Sequence, residues 1–195
     1  MAQRKQAKVL TDAQIEQALD HLARSRYPLR DRAIFLLSVK AGLRACEIAR
    51  ITWRAVLASD GKIGDSIELV DGMSKGGYGG RTIPMAPALK SALAALHKAE
   101  QVAPDARIAC SERSEGLTAG SVKLFFGRLY KALGTLGASS HSGRRTFITR
   151  AARNVVQAGG SLRDVQQLAG HANLNTTQRY IEGDSDAKRR LVAMI

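Results

Sequence analysis

Hydrophobic positions recur at helical spacing over most of the chain. Ile15, Ala18, Leu19 and Leu22 fall on one face of a segment opened by Thr11, with Gln14 three residues later. That pair forms a capping box, in which each side chain satisfies the other residue's backbone N–H, and it predicts a helix to about Ala23. Pro28 stands at a first-turn position ahead of Ala33, Ile34, Leu36 and Leu37, and Gly42 supplies a left-handed stop, so Arg44 opens the next helix. Between Ile63 and Met85 the pattern changes to short β-type runs, Ser66 to Val70 and Arg81 to Met85, separated by Gly72, Gly76, Gly77, Gly79 and Gly80. They predict a small antiparallel sheet with a Gly-rich turn.

Helical spacing then resumes. Pro87 opens an alanine-rich helix to about Glu100, and Thr118 to Leu133 forms another with Val122, Phe125, Phe126 and Leu129 inward. A helix follows from Arg144 to Ala158, and one from Ser161 to Leu168 opens with a second capping box, Ser161 with Asp164. Asn175, with Gln178 three residues on, caps a short helix carrying Tyr180. The chain shows no internal repeat and no low-complexity tract. The expected fold is mainly α with a small antiparallel β-sheet (α+β), in one compact domain over residues 1–195.

Charge narrows the partner. Thirty Lys and Arg against seventeen Asp and Glu leave a net +13 and a pI near 10.3, a balance that favours a polyanion over a neutral metabolite and excludes no fold. No acidic residue occurs from Gly116 to Arg163, whereas Lys123, Arg128, Lys131, Arg144, Arg145, Arg150, Arg153 and Arg163 all do. That window reads as a phosphate-facing surface, against the alternative of a generally basic, solvated exterior. With 195 residues and 45% hydrophobic content the chain can bury its own core without disulfides or metals. Cys46 and Cys110 have no metal-ligand spacing and read as buried, reduced thiols. No run approaches the roughly 18 consecutive apolar residues of a membrane span, so a cytoplasmic or nucleoid-associated protein is expected.

Six residues carry chemistry: Arg44, Lys75, His141, Arg144, His171 and Tyr180. Each has an ordinary explanation. Arg44 with Glu47 is a surface ion pair at i,i+3, and Lys75 between glycines is a solvated turn lysine. His141 and Arg144 are helix-start neighbours, His171 after Gly170 is a capping histidine, and Tyr180 is a half-buried core phenol.

Their joint order resembles the tyrosine recombinase (phage integrase) family from about Leu10 to Glu182. Ala41-Gly42-Leu43-Arg44-Ala45-Cys46-Glu47-Ile48 is similar to the family's first arginine box, and Ser74-Lys75-Gly76 before Arg81-Thr82-Ile83-Pro84 to its β-hairpin lysine. His141-Ser142-Gly143-Arg144-Arg145-Thr146-Phe147 resembles the second box. Leu168-Ala169-Gly170-His171-Ala172-Asn173 resembles the third, with Tyr180 nine residues beyond His171.

The resemblance implies a site-specific recombinase that cleaves and rejoins double-stranded DNA. Tyr180 would attack phosphorus to leave a 3′-phosphotyrosine and a free 5′-hydroxyl, with no metal and no cofactor. Arg44 and Arg144 would clamp the non-bridging oxygens, Lys75 would protonate the leaving oxygen, His141 would assist Tyr180 or the phosphate, and His171 would hold the phosphate and the tyrosine segment. Glu47 would orient these cations, and Arg81, Lys123, Arg128 and Arg145 would contact DNA. A homotetramer on paired sites is implied, as is the absence of any membrane or small-molecule partner.

Residues 183–195 would be a tail that docks on a neighbouring subunit or packs as a helix on its own domain. Set against full-length members, which carry a core-binding domain before the catalytic one, the resemblance implies that the chain is an excised catalytic domain or a minimal integrase. Arg145 stands where many members have a second His, and Gly143 where Leu is frequent. Type IB topoisomerase-like relaxation and non-catalytic DNA binding are the alternatives; the first fits poorly with the box from His171 to Tyr180, and the second would be expected to lose one of the six residues.

Overall fold

In the computed structural model, which describes residues 6–70, 80–112, 114–180 and 192–193, the helical spacing becomes eight helices. They are α1 (Asp12–Leu22), α2 (Pro28–Val39), α3 (Ala45–Arg50), α4 (Pro87–Glu100), α5 (Ala119–Ala132), α6 (Ser142–Asn154), α7 (Leu162–Ala169) and α8 (Leu174–Gln178). Strands β1 (Ser66–Leu69) and β2 (Arg81–Pro84) pair antiparallel, which gives the expected class. The chain divides into two compact units, residues 1–147 and 148–195. None of the described helices is long and apolar enough to cross a membrane.

The first unit is organised on α2, whose Ala33 to Leu37 are wholly shielded from solvent and which packs against α1, α3 and α4. The second half of α2, shielded on every side, occupies the centre of that core. On α1 the Thr11 hydroxyl accepts from Gln14 N at 3.2 Å and the Gln14 amide oxygen accepts from Thr11 N at 3.1 Å, so the predicted capping box is present. Past α2 the chain turns at Gly42, φ +65°, and Gly42 N–H returns to Ser38 O. A Cβ at Gly42 would enter the Phe147 ring, so both conformation and space call for glycine.

The strands are each one residue shorter than predicted. Ile67 and Ile83 face each other on the buried side, Val70 is 64% exposed, and beyond Pro84 a single in-register bond from Met85 N–H to Asp65 O closes the pairing. A short 3₁₀ turn at Trp53–Ala55, which periodicity does not announce, buries Trp53 completely. Helix α5 packs on α3 and buries Val122, Phe126, Leu129 and Tyr130; Phe125, predicted inward, is half-buried, and Tyr130 takes the inward position. Cys46 and Cys110 are free thiols but half-buried, against the expectation of full burial.

Helix α6 starts at Ser142 rather than Arg144, because Ser142 Oγ accepts from Ser139 N at 2.9 Å and tightens the entry turn. It ends at Asn154 rather than Ala158, where turns lead to Gly159 at φ +73°. In the second unit α7 packs on α8, and Asp164 Oδ2 accepts from both Ser161 N (2.7 Å) and Ser161 Oγ (2.9 Å) at the start of α7. The cap of α8 is Asn173 and not Asn175: Asn173 is extended and its side chain accepts from Asn175 N at 2.9 Å, which places Asn175 inside the helix. Tyr180 therefore lies two residues beyond α8, its N–H bonded to Thr177 O at 3.0 Å.

Candidate active site

Two elements of the first unit, α3 and β2, bring two cations around one carboxylate. Arg44 precedes α3, Glu47 sits in its first turn, and Arg81 is the first residue of β2. Glu47 is wholly shielded from solvent, so the pair with Arg44 is not the surface contact that the spacing alone allows. Its Oε1 accepts from Arg44 Nη1 at 2.8 Å and Arg81 Nη1 at 3.0 Å; its Oε2 accepts from Arg44 N at 2.7 Å and Arg81 Nη2 at 3.1 Å. Burial by itself pushes this carboxyl up, but the hydrogen bonds and charge of Arg81, followed by those of Arg44, bring it down to about 2. Arg44 keeps 28% of its side chain exposed, whereas Arg81 keeps 6%. Arg81, expected as a DNA contact, is thus turned inward onto Glu47.

Arg144, in the first turn of α6, is 4% exposed and donates through Nη1 to Gly42 O at 2.6 Å. The left-handed turn at Gly42 aims that carbonyl, so the residue that ends α2 also seats the second arginine. His141 precedes α6 at the surface, with Ser140 Oγ 3.4 Å from its Nδ1. Partial loss of solvation lowers its imidazole pKa, and the charges of Lys123, Arg144 and Arg44 lower it further. Three cations acting on one imidazole define a region suited to an anion.

Within the second unit His171 Nδ1 lies 2.9 Å from Thr177 Oγ1, and Gln166 Nε2 donates to His171 O at 2.8 Å. Thr177 is fully buried, so the imidazole is held by a fixed hydroxyl rather than acting as a simple helix cap. The Tyr180 ring stacks on His171 at 5.7 Å between centroids and 24° between planes. The phenol is half-buried, as expected of a core tyrosine, and one of its neighbours is the His171 imidazole.

Of the remaining candidates, Lys123 and Arg128 are exposed on α5 and Arg145 is half-buried on α6. Lys75 lies outside the described residues, as does most of the tail 183–195. Sequence reasoning missed the Gly42 carbonyl and Thr177. Gly42 carries a signal, a glycine two residues before an arginine at a helix stop; Thr177 carries none, because only the fold brings it to His171.

The phage integrase family model matches residues 8–186. The tyrosine recombinase XerC of Nitrobacter winogradskyi is 32% identical over 163 residues, covering 80% of this chain and 47% of that relative, so the chain spans about half the length of the curated relatives it matches. Among solved structures, the XerA recombinase superposes with a TM-score of 0.73 at 23% identity over 95% of this chain and 64% of that one. The Tn1549 transposon integrase in complex with a circular intermediate DNA gives 0.72 at 22% over 100% and 68%. With the ordered boxes, the helical fold and this match along nearly its whole length, the chain belongs to the phage integrase family of tyrosine recombinases.

Proposed function

We propose that this chain, over residues 1–195, is the catalytic domain of a site-specific recombinase. The observation that carries the reading is the pair of anchored arginines, Arg44 bonded to the buried Glu47 carboxylate at 2.8 Å and Arg144 to Gly42 O at 2.6 Å, in a chain whose family model covers residues 8–186. A guanidinium stays charged and matches phosphate geometry, and the Glu47 and Gly42 contacts hold Arg44 and Arg144 before substrate arrives.

In this reading Arg44 and Arg144 bind the non-bridging oxygens of the scissile phosphate and stabilise the charge that grows there. The Tyr180 oxygen attacks phosphorus, a P–O bond to the 5′-oxygen breaks, and the 5′-hydroxyl leaves with a proton supplied by Lys75. His141 works in its neutral form, accepting the proton released at the attacking oxygen, and His171, tethered by Thr177, orients the phenol. The 5′-hydroxyl of a second strand then reverses the step, so the energy of the broken bond is conserved and no cofactor is consumed. Lys123, Arg128 and Arg145 contact the DNA backbone. The acting form is a homotetramer on two paired sites, and the compartment is the cytoplasm, where that DNA lies.

A nicked suicide duplex tests the nucleophile. The chain should form a protein–DNA adduct that resists SDS, and Tyr180→Phe should lose it while still binding duplex; an adduct persisting in Tyr180→Phe would sink the assignment. Arg44→Ala or Arg144→Ala should slow adduct formation by roughly two to three orders of magnitude with a much smaller loss of binding. Equal losses would make these arginines plain phosphate anchors.

A further inference from the structure

Arg81 meets Glu47 side-on, Nη1 to Oε1 at 3.0 Å and Nη2 to Oε2 at 3.1 Å, while Arg44 reaches the same two oxygens with its own Nη1 and backbone N. Each carboxylate oxygen therefore accepts one bond from each arginine. A guanidinium bound through two nitrogens fixes the plane of its carboxylate, which a single-point contact does not. With that plane fixed, the directions in which Arg44 can bond are fixed as well.

The charges divide in the same way. Arg44 and Glu47 alone would form a locally neutral pair, whereas the trio carries one net positive charge. Exposure decides where that charge is usable: Arg81 is 6% exposed and Arg44 28%, so Arg44 is the member that keeps a side open to solvent. A direct DNA contact by Arg81 would require it to leave a carboxylate that is wholly shielded from water, an arrangement that is costly once one partner is removed.

Resting on the recombinase reading, we propose that Arg81 is a positioning residue for cleavage: holding Glu47 from the β2 side through two nitrogens, it fixes the direction in which the Arg44 guanidinium meets a phosphate oxygen. Arg81 touches neither the phosphate nor the reacting atoms. It acts through Glu47 on Arg44.

The test compares Arg81→Met, Arg81→Lys, Arg44→Ala and the double variant Arg44→Ala/Arg81→Met in single-turnover adduct formation and in duplex affinity. Arg81→Met should slow adduct formation by roughly ten- to a hundredfold, the scale of a misplaced catalytic group, with duplex affinity nearly unchanged. Arg81→Lys keeps the charge without the two-point contact and should recover only part of the rate; should Arg81→Met fail to fold, this variant carries the same comparison. The double variant should be no slower than Arg44→Ala.

Losses that multiply in the double variant, affinity that falls in step with cleavage, or full recovery by Arg81→Lys would each overturn the role. Adduct formation by the unsubstituted chain is the control: without it the recombinase reading itself fails. The Arg81 role is then judged by nitrogen-15 signals of the Arg44 guanidinium. Rotation about its C–N bonds should be slow in the unsubstituted chain and fast in Arg81→Lys, and equal rates overturn the role.

Discussion

Glu47 binds two guanidiniums through one buried carboxylate, and this sets how the first unit responds to acid. Its folded pKa, about 2, lies below the ordinary 4.5, so the folded protein binds fewer protons than the unfolded one between those values. The stability it contributes is complete above about pH 4.5 and is lost as pH falls toward 2. Glu47→Gln should lower the thermal midpoint at neutral pH, by an amount corresponding to roughly 3 kcal/mol for a broken buried pair, and the gap to the unsubstituted chain should narrow between pH 4.5 and 2. A gap constant with pH would place the ion pair's contribution elsewhere. His141 has the same direction of shift with a different cause. Lost solvation keeps its imidazole neutral below the usual range, and Lys123 adds to this. If neutral His141 accepts a proton during cleavage, the rate falls as pH drops through its pKa, and Lys123→Gln should move that acid limb to higher pH. A profile that does not move would leave Lys123 as a DNA contact only. Residue identity at these positions was legible because arginine, histidine and tyrosine recur in a fixed order. Their orientation was not: nothing in the i,i+3 spacing of Arg44 and Glu47 distinguishes an exposed pair from a buried one, and Arg81 lies 34 residues away from its partner.

At the scale of elements, the close approach of α6 to α2 is the feature most open to test. A Cβ on Gly143 would run into Ser38 Oγ and Cβ on α2, so this chain cannot take there the leucine frequent in the family without displacing one helix. Gly143→Leu should destabilise the protein by about 1–3 kcal/mol, the cost of overpacking, seen as a thermal midpoint lower by several degrees. Adding Ser38→Gly should recover part of that loss; no recovery would mean that another neighbour sets the constraint. Capping explains which boundaries the sequence could predict. The Thr11/Gln14 and Ser161/Asp164 boxes are local, complete within four residues, and both starts agree with the structure. Asn173 takes the cap of α8 from Asn175, and Ser142 opens α6 ahead of Arg144, so in both cases a short polar side chain two residues upstream, bonded to a backbone N–H, shifted the start. The strands ended early for a tertiary reason, since beyond Leu69 the next residue, Val70, is exposed and has no core to face.

For the whole molecule the basic excess matters more than any one contact. The division at residue 147 was not legible, because the hydrophobic pattern runs without a break through α6 and no linker composition marks it. Charge, by contrast, was legible in full: a net +13 and an acid-free window from Gly116 to Arg163 follow from counting. Structure then sorts that window. Arg144 is buried against Gly42 O and serves the candidate site, while Lys123, Arg128 and Lys131 on α5 and Arg153 on α6 are exposed. If the exposed set neutralises DNA phosphates, binding is driven by release of condensed counterions and the logarithm of affinity falls linearly with the logarithm of salt. Arg128→Gln should then weaken binding evenly across DNA sequences and reduce the magnitude of that slope by about one, while adduct formation at saturating protein stays as in the unsubstituted chain. Arg81→Met should leave the slope unchanged, because its guanidinium is spent on Glu47 and not on phosphate. Affinity titrations from low to physiological salt separate the two residues, and a slope unaltered by Arg128→Gln would remove that face of α5 from the DNA interface.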